Sequence, residues 1–162
     1  MQQFIGDLNQ LYCLKSHLTE RLVDLEGQPA FKDASKAIKN LVLQTDAELE
    51  NLDEIFKMLE RGVSFQNCTE LSQYLEGIYT DITESLETPQ LSHVFFYEYL
   101  CEVKTIEKTC LASMCRISMT IANPKLKSLL LKECEKPDCE LLKTFRNYYP
   151  ASFVDSAGCK SS

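Results

Sequence analysis

Apolar residues recur at alternating three- and four-residue steps along four long stretches of the chain. This spacing places them on one face of an α-helix, and no run has the strict polar and apolar alternation of a strand. The first stretch has the stripe Phe4, Leu8, Leu11, Lys15, Leu18, Leu22 and Leu25. The pattern therefore predicts an all-α protein.

Glycine, proline and capping residues predict where the helices begin and end. We expect helices over 4–25, 30–60, 67–86, 88–122 and 123–149. Asn67 and Glu70 have the spacing of a capping box at the start of the short third helix. Pro137 predicts a kink or break near Lys136. The arrangement expected from these lengths is a four-helix bundle with an additional shorter crossover helix.

The length of 162 residues suits one domain. We predict that the bundle covers residues 1–149. Residues 150–162 contain serine, glycine and few apolar residues, and we expect them to form a flexible C-terminal tail.

Ionisable residues interrupt these stripes. Lys15 lies in the first, Glu48 in the second, and Glu133 follows Leu126 and Leu130 in the last. The long third stripe reads Phe96, Leu100, Val103, Glu107, Cys110, Met114, Ile117 and Ile121. A charge on a buried face costs on the order of several kcal/mol unless it is paired or bound to metal. We therefore predict an interior ion-pair site from four residues: Lys15, Glu48, Glu107 and Glu133.

The formal net charge of −7 and the lack of a Lys/Arg cluster disfavour nucleic-acid binding on electrostatic grounds. No stretch approaches the roughly 20 apolar residues that span a bilayer, so no membrane partner is expected. The start, MQQFIGDLNQ, lacks the basic and apolar regions of a secretory signal. We therefore expect a cytoplasmic protein.

Eight cysteines fall mostly inside helical patterns. The simplest interpretation is that they are reduced, partly buried thiols. Two alternatives stay open: a secreted helical factor with disulfides across helix ends, and a reactive Cys68 thiol activated at a helix start. His17 and His93 lack a convincing ligand spacing, so we expect them to be structural or solvent-facing.

Four phrases give the chain a resemblance to a known family. They are DLNQLYCLKSHL (7–18), AIKNLVLQTDAELENLDEIF (37–56), VKTIEKTCLA (103–112) and LLLKECEKPDCELL (129–142). Read together over residues 4–149, they resemble the YciF-type ferritin-like family of bacterial stress-associated proteins. The resemblance implies a ferritin-like four-helix bundle, a homodimer and a di-metal centre built from glutamates and histidines.

Most positions that the resemblance assigns to the metal centre are changed in this chain. Lys15 takes the place of a glutamate, Leu41 of a histidine and Gln44 of a glutamate. The third long helix keeps only Glu107 of its motif, and the paired glutamates of the last helix correspond to Glu133-Cys134. The resemblance therefore implies a degenerate di-metal site, and we expect no cofactor and no catalysis.

We hypothesise that the Lys15 ammonium replaces the metal by pairing with Glu107 and with Glu48 or Glu133. The alternative is that these side chains extend to solvent. The competing function is a di-iron or di-manganese oxidase, or a zinc protein, with ligands from Glu48, Glu107, Cys110 and Glu133.

The predicted role is that of a non-catalytic, stress-associated or interaction protein. Its aromatic cluster of Phe95, Phe96, Tyr97 and Tyr99 has two interpretations: a homodimer surface, or packing against residues 71–86.

Overall fold

The computed structural model describes residues 1–135 and 139–146. Every regular element within them is helical, which confirms the all-α prediction. The α-helices are α1 (Gln2–Glu26), α2 (Ser35–Met58), α3 (Thr69–Glu84), α4 (Pro89–Ser118), α5 (Pro124–Cys134) and α6 (Glu140–Phe145). Short 3-10 helices, Pro29–Ala34 and Gln66–Cys68, precede α2 and α3.

Three long helices form the centre of the molecule. Helix α1 packs along both α2 and α4, while α5 and α6 contact α4 and α2 on another side. Helix α3, with 16 residues, packs on α4 and α1 and connects the second long helix to the third. None of the described helices combines the length and apolar character needed to cross a bilayer.

The predicted stripes face the core. All seven residues of the first stripe, including Lys15, are at most 4% exposed. The ionisable positions Glu48, Glu107 and Glu133 are also buried, together with Cys110. Helical periodicity therefore identified the buried faces even where a charge interrupts them.

The C-terminal part of the structure differs from the predicted single helix over 123–149. Asn123 caps α5 by accepting hydrogen bonds from the amides of Lys125 and Leu126. Helix α5 ends at Cys134, and α6 begins at Glu140. The predicted break thus falls in this interval. Lys136, Pro137 and the predicted tail over 150–162 lie outside the described residues.

Several helix boundaries differ from the prediction: α2 begins at Ser35 rather than near Ala30, and α4 ends at Ser118 rather than near Ala122. Helix α2 ends at Met58, before Gly62, because Glu60 adopts the left-handed conformation with φ of 53°. The amide of Arg61 then donates to the Phe56 carbonyl, and that of Glu60 to Lys57, as in a Schellman motif. The Asn67 capping box is absent, since a 3-10 turn leads into α3 and no side chain caps it.

The prediction of reduced cysteines is wrong for most of the described ones. Disulfides join Cys13 to Cys68 and Cys115 to Cys134, with Cα–Cα distances of 6.3 and 6.2 Å. Cys101 is also disulfide-bonded. Periodicity placed these residues on helix faces but did not reveal which helices lie side by side. Since Cys68 is bonded to Cys13, the alternative of a reactive Cys68 thiol is also wrong.

Candidate functional site

Lys15 lies between two glutamates of neighbouring helices. Its Nζ atom is 2.5 Å from Glu48 Oε2 on α2 and 3.3 Å from Glu107 Oε2 on α4. The side chain of Lys15 is 4% exposed, and those of the two glutamates are 8% exposed. The ammonium therefore joins all three long helices within the core, and it does not extend to solvent.

The carboxylate of Glu48 has a second partner. Gln44, one turn earlier on α2, donates from Nε2 to Glu48 Oε1 at 3.0 Å. Gln44 is the position that the family resemblance assigns to a glutamate. Its amide is a hydrogen-bond donor where a carboxylate would add another negative charge. The amide of Gln44 therefore holds the Glu48 carboxylate without adding negative charge beside it.

Glu133 completes the interior charge site, which we define as Lys15, Glu48, Glu107 and Glu133. Its side chain belongs to α5 and is buried, with only 1% exposed. Asn51 of α2 donates from Nδ2 to Glu133 Oε1 at 2.6 Å and to the Leu129 carbonyl at 3.2 Å. A single amide thus fixes both the carboxylate and the backbone of α5.

Electrostatic interactions keep Lys15 charged. Burial by itself lowers the pKa of Lys15, because a low-dielectric interior disfavours an ammonium. Glu107 and Glu48 outweigh that effect, with a further contribution from Glu133, so the pKa of Lys15 is raised above its ordinary value. The site is therefore a paired cation among carboxylates rather than a neutral amine.

A small cavity adjoins the ion pairs. Its volume within reach of a water-sized sphere is about 30 Å³, and its lining includes Lys15, Glu48, Glu107, Lys104 and Cys139. A volume of this size holds about one or two water molecules and is far smaller than a metabolite-binding pocket. The cavity can hydrate the edge of the site, but it is too small for an organic substrate.

The proposed metal ligands do not form a usable set. Among residues 1–135 and 139–146, no group of three or more His, Cys, Asp and Glu residues is arranged to hold a metal ion. Glu48 and Glu107 both contact Lys15, whose positive charge repels a cation. Burial, followed by Asp7 and Glu107, raises the pKa of Cys110 to about 11, which disfavours the thiolate that a metal requires. The donor set does not fit the di-metal centre implied by the resemblance.

The histidines lie apart from the interior charge site. His93 Nε2 is 2.6 Å from the Ala30 carbonyl oxygen. His17, only 8% exposed, lies between Tyr99 of α4 and Glu76 of α3. Its Nε2 atom lies 2.9 Å from Glu76 Oε2, and its Nδ1 atom lies 2.9 Å from the Tyr99 hydroxyl oxygen. Because a carboxylate can only accept, the neutral ring carries its proton on Nε2, and Nδ1 accepts from the Tyr99 hydroxyl. The expectation of a structural histidine agrees with these contacts, but neither ring faces solvent freely.

Arg21 extends the cluster around His17. Its Nε atom donates to Glu76 Oε2 at 3.0 Å, and its guanidinium lies 5.2 Å from the ring centroid of Tyr79. Burial lowers the pKa of His17, although Glu76 acts in the opposite direction. We call His17, Arg21, Glu76 and Tyr99 the His17 network. It fastens the connecting helix α3 to α1 and α4.

The aromatic cluster is directed mainly into the protein. Phe96, Tyr97 and Tyr99 are at most 2% exposed, and Phe95 is half-buried. Tyr99 packs edge-on against Tyr79 of α3, with 6.1 Å between ring centroids. Packing against residues 71–86 therefore accounts for part of the cluster, and the homodimer stays a prediction.

Sequence reasoning missed Asn51 and the partners of His17. Asn51 comes three residues after Glu48 and four before Ile55, so helical spacing itself could have identified it as inward-facing. His17 lies off the main stripe of α1. However, α1 packs against α3 as well as α2 and α4, so more than one of its faces is buried.

The excess negative charge is concentrated in one part of the chain. Residues 62–103 contain no Lys or Arg and have seven acidic residues: Glu70, Glu76, Asp81, Glu84, Glu87, Glu98 and Glu102. Their number equals the whole formal net charge of −7. This segment, which includes α3 and the first half of α4, repels polyanions.

No protein-family model, curated protein or solved structure matches the chain. The YciF-type resemblance therefore stays a prediction, and functional inference depends on the geometry of these sites.

Proposed function

We propose that the protein is a non-catalytic ferritin-like bundle, related to the YciF-type family, that acts as a stress-associated or interaction protein. The observation that carries the proposal is the Lys15 ammonium between Glu48 and Glu107. A cation already lies between two of the carboxylates on which a di-metal centre would depend. The bundle can then close around its polar interior without an inorganic ion.

The chemistry of the neighbouring residues supports a non-catalytic role. The cavity beside Lys15 has a volume of only about 30 Å³. Burial raises the pKa of Cys139 on its wall, so that thiol is a poor nucleophile at neutral pH. The acidic segment over 62–103 attracts cationic proteins at long range and disfavours nucleic acids.

Metal loading tests this proposal directly. The purified protein is incubated with Fe²⁺, Mn²⁺ or Zn²⁺, desalted, and examined by native mass spectrometry and elemental analysis. We expect less than about 0.1 ion per chain after desalting, because Lys15 opposes a cation at the carboxylates. A stoichiometric ion that is lost in a Glu107→Gln variant would instead support the rival metal-binding oxidase or zinc protein.

A second candidate, a secreted helical factor, is favoured by the disulfides. Cys13–Cys68 ties α1 to the start of α3, and Cys115–Cys134 ties the last turn of α4 to the end of α5. Such bonds persist in oxidising compartments and are rare in the cytosol. They weigh against the predicted cytoplasmic location, which stays a prediction.

The redox state of the native protein separates these two candidates. Cells producing the chain are quenched in acid, and the precipitated protein is dissolved at neutral pH in denaturant that contains a thiol-blocking reagent. The blocked cysteines are then mapped by mass spectrometry. Blocked Cys13 and Cys68 in the native protein would support the cytoplasmic candidate. Unblocked, bonded cysteines in the native protein would support the secreted factor.

A further inference from the structure

The two mapped disulfides differ in their access to solvent. Cys13 and Cys68 are 4% and 1% exposed, and Asn9 Nδ2 approaches Cys68 Sγ at 3.1 Å. Cys115 and Cys134, in contrast, are both half-buried. Thiol–disulfide exchange requires an external thiolate to reach a sulfur atom, and the residues of the second bond are the more exposed pair.

The more exposed disulfide also attaches the C-terminal end of the short helix α5 to α4. Cys134 is the last residue of α5, which has only 11 residues, and Cys115 lies in the last turn of α4. A short connection after α4 holds the beginning of α5. The disulfide holds its end, next to the segment that separates α5 from α6.

The neighbour of Cys134 is a member of the interior charge site. Glu133 is 1% exposed and accepts the hydrogen bond from Asn51. An isolated helix of this length is marginally stable, so the last turn of α5 depends on its tertiary contacts. Releasing Cys134 would therefore loosen the turn that keeps Glu133 inside the bundle.

We propose that Cys115–Cys134 is a redox-active disulfide that takes a dithiol as its reductant and latches α5 over the interior charge site. A thiolate of the dithiol attacks one sulfur, forming a mixed disulfide and releasing the other cysteine, which takes up a proton. The second thiol then displaces the first cysteine. The dithiol loses two electrons and becomes a disulfide, while Cys115 and Cys134 become thiols.

The latch does not depend on the proposed metal-free function, because it needs only the more exposed bond and the attachment of α5. Reduction unlatches the C-terminal turn of α5 and admits water to Glu133. Reoxidation by a disulfide of the same chemical class restores the closed form.

The test follows the oxidised protein during titration with dithiothreitol. Samples are alkylated and mapped by mass spectrometry, and hydrogen exchange is recorded in parallel. We expect Cys115 and Cys134 to become alkylated at least about tenfold faster than Cys13 and Cys68. At that stage, amide exchange over 126–134 should rise by about tenfold or more, with exchange over 8–25 unchanged.

Two results would overturn the proposal. One is reduction of Cys13–Cys68 before or together with Cys115–Cys134. The other is selective opening that leaves exchange over 126–134 unchanged. A Cys115→Ser/Cys134→Ser variant should show the rapid exchange without reductant, and Cys13→Ser/Cys68→Ser is its matched control. The measurement on the native chain decides the question even if either variant fails to fold.

Discussion

Lys15 and His17 lie two residues apart on α1 and are both buried, yet their surroundings favour a charged side chain at Lys15 and a neutral one at His17. Lys15 keeps a full charge because carboxylates from α2 and α4 surround its ammonium. The ring of His17 is instead favoured in its neutral form, between the Tyr99 hydroxyl and the Glu76 carboxylate. The comparison teaches that burial excludes an uncompensated charge, not polarity itself.

The two residues also hold different parts of the fold together. The interior charge site connects α1 to α2 and α4 and includes Glu133 of α5. The His17 network connects α1 and α4 to α3 through side chains that are partly solvated, since Glu76 is 46% exposed. We therefore expect losses at Lys15 to be larger than losses at His17.

Lys15→Met should have the largest effect, because it removes the cation between the buried Glu48 and Glu107 and leaves Glu107 with only Lys104, at 3.8 Å. We expect the free energy of unfolding to fall by about 3–5 kcal/mol. Urea unfolding measures it through a lower midpoint at an unchanged slope. Lys36→Met, at an exposed position of the same bundle, is the control and should change stability by less than about 0.5 kcal/mol. Equal stabilities for the two variants would show that the Lys15 pairs contribute nothing.

Removing the stranded charges should recover part of that loss. In the Lys15→Met background, Glu48→Gln and Glu107→Gln together should restore about 1–3 kcal/mol, because neutral amides cost less to bury. The same pair of substitutions in the natural chain should be destabilising. If the two glutamine substitutions instead lowered the stability of Lys15→Met further, unpaired buried carboxylates would not be the cause of its instability.

His17→Phe should cost about 1–3 kcal/mol, because it leaves the buried Tyr99 hydroxyl without its acceptor. Adding Tyr99→Phe removes the stranded hydroxyl and should return part of the stability. A double-mutant cycle from urea unfolding measures the coupling of the two residues. Additive losses would mean that the hydrogen bond between His17 and Tyr99 carries no energy.

The smallest expected effect is a difference in pH response. His17 has a folded-state pKa below its ordinary 6.5, so the unfolded chain binds its proton first as the pH falls. Stability from His17 is thus present above pH 6.5 and lost on acidification. The natural chain should lose more stability than His17→Phe between about pH 7 and about pH 5. A larger loss in the variant would contradict this sign.

Helical periodicity predicted the all-α class and the burial of Lys15, Glu48, Glu107 and Glu133. It succeeded because alternating three- and four-residue spacing is a local property of each helix. The end of α5 at Cys134 and the start of α6 at Glu140 lie on either side of the predicted break, which itself falls outside the described residues. The early end of α2 was not accessible from the sequence, because Glu60 rather than a glycine adopts the left-handed conformation there.

Tertiary neighbours account for the errors. The bonding of Cys13 to Cys68 depends on α1 lying beside the start of α3, across 55 positions of sequence. The contact of His17 with Tyr99 likewise spans 82 positions. Spacing within one helix carries no information on such pairings. In the interior charge site, by contrast, the single cation, Lys15 of α1, could be paired from the sequence with buried glutamates on other helices.

Side-chain NMR of Lys15 tests most directly whether its ammonium is held between carboxylates. A sample with ¹⁵N-labelled lysine side chains is titrated with base, and Lys15→Arg identifies the resonance. Because the pKa of Lys15 is raised, the stability it contributes is fully present below the ordinary 10.5 and is lost as the pH rises through the folded pKa. We predict a titration midpoint above the ordinary 10.5. A midpoint at or below 10.5 would contradict the paired interior.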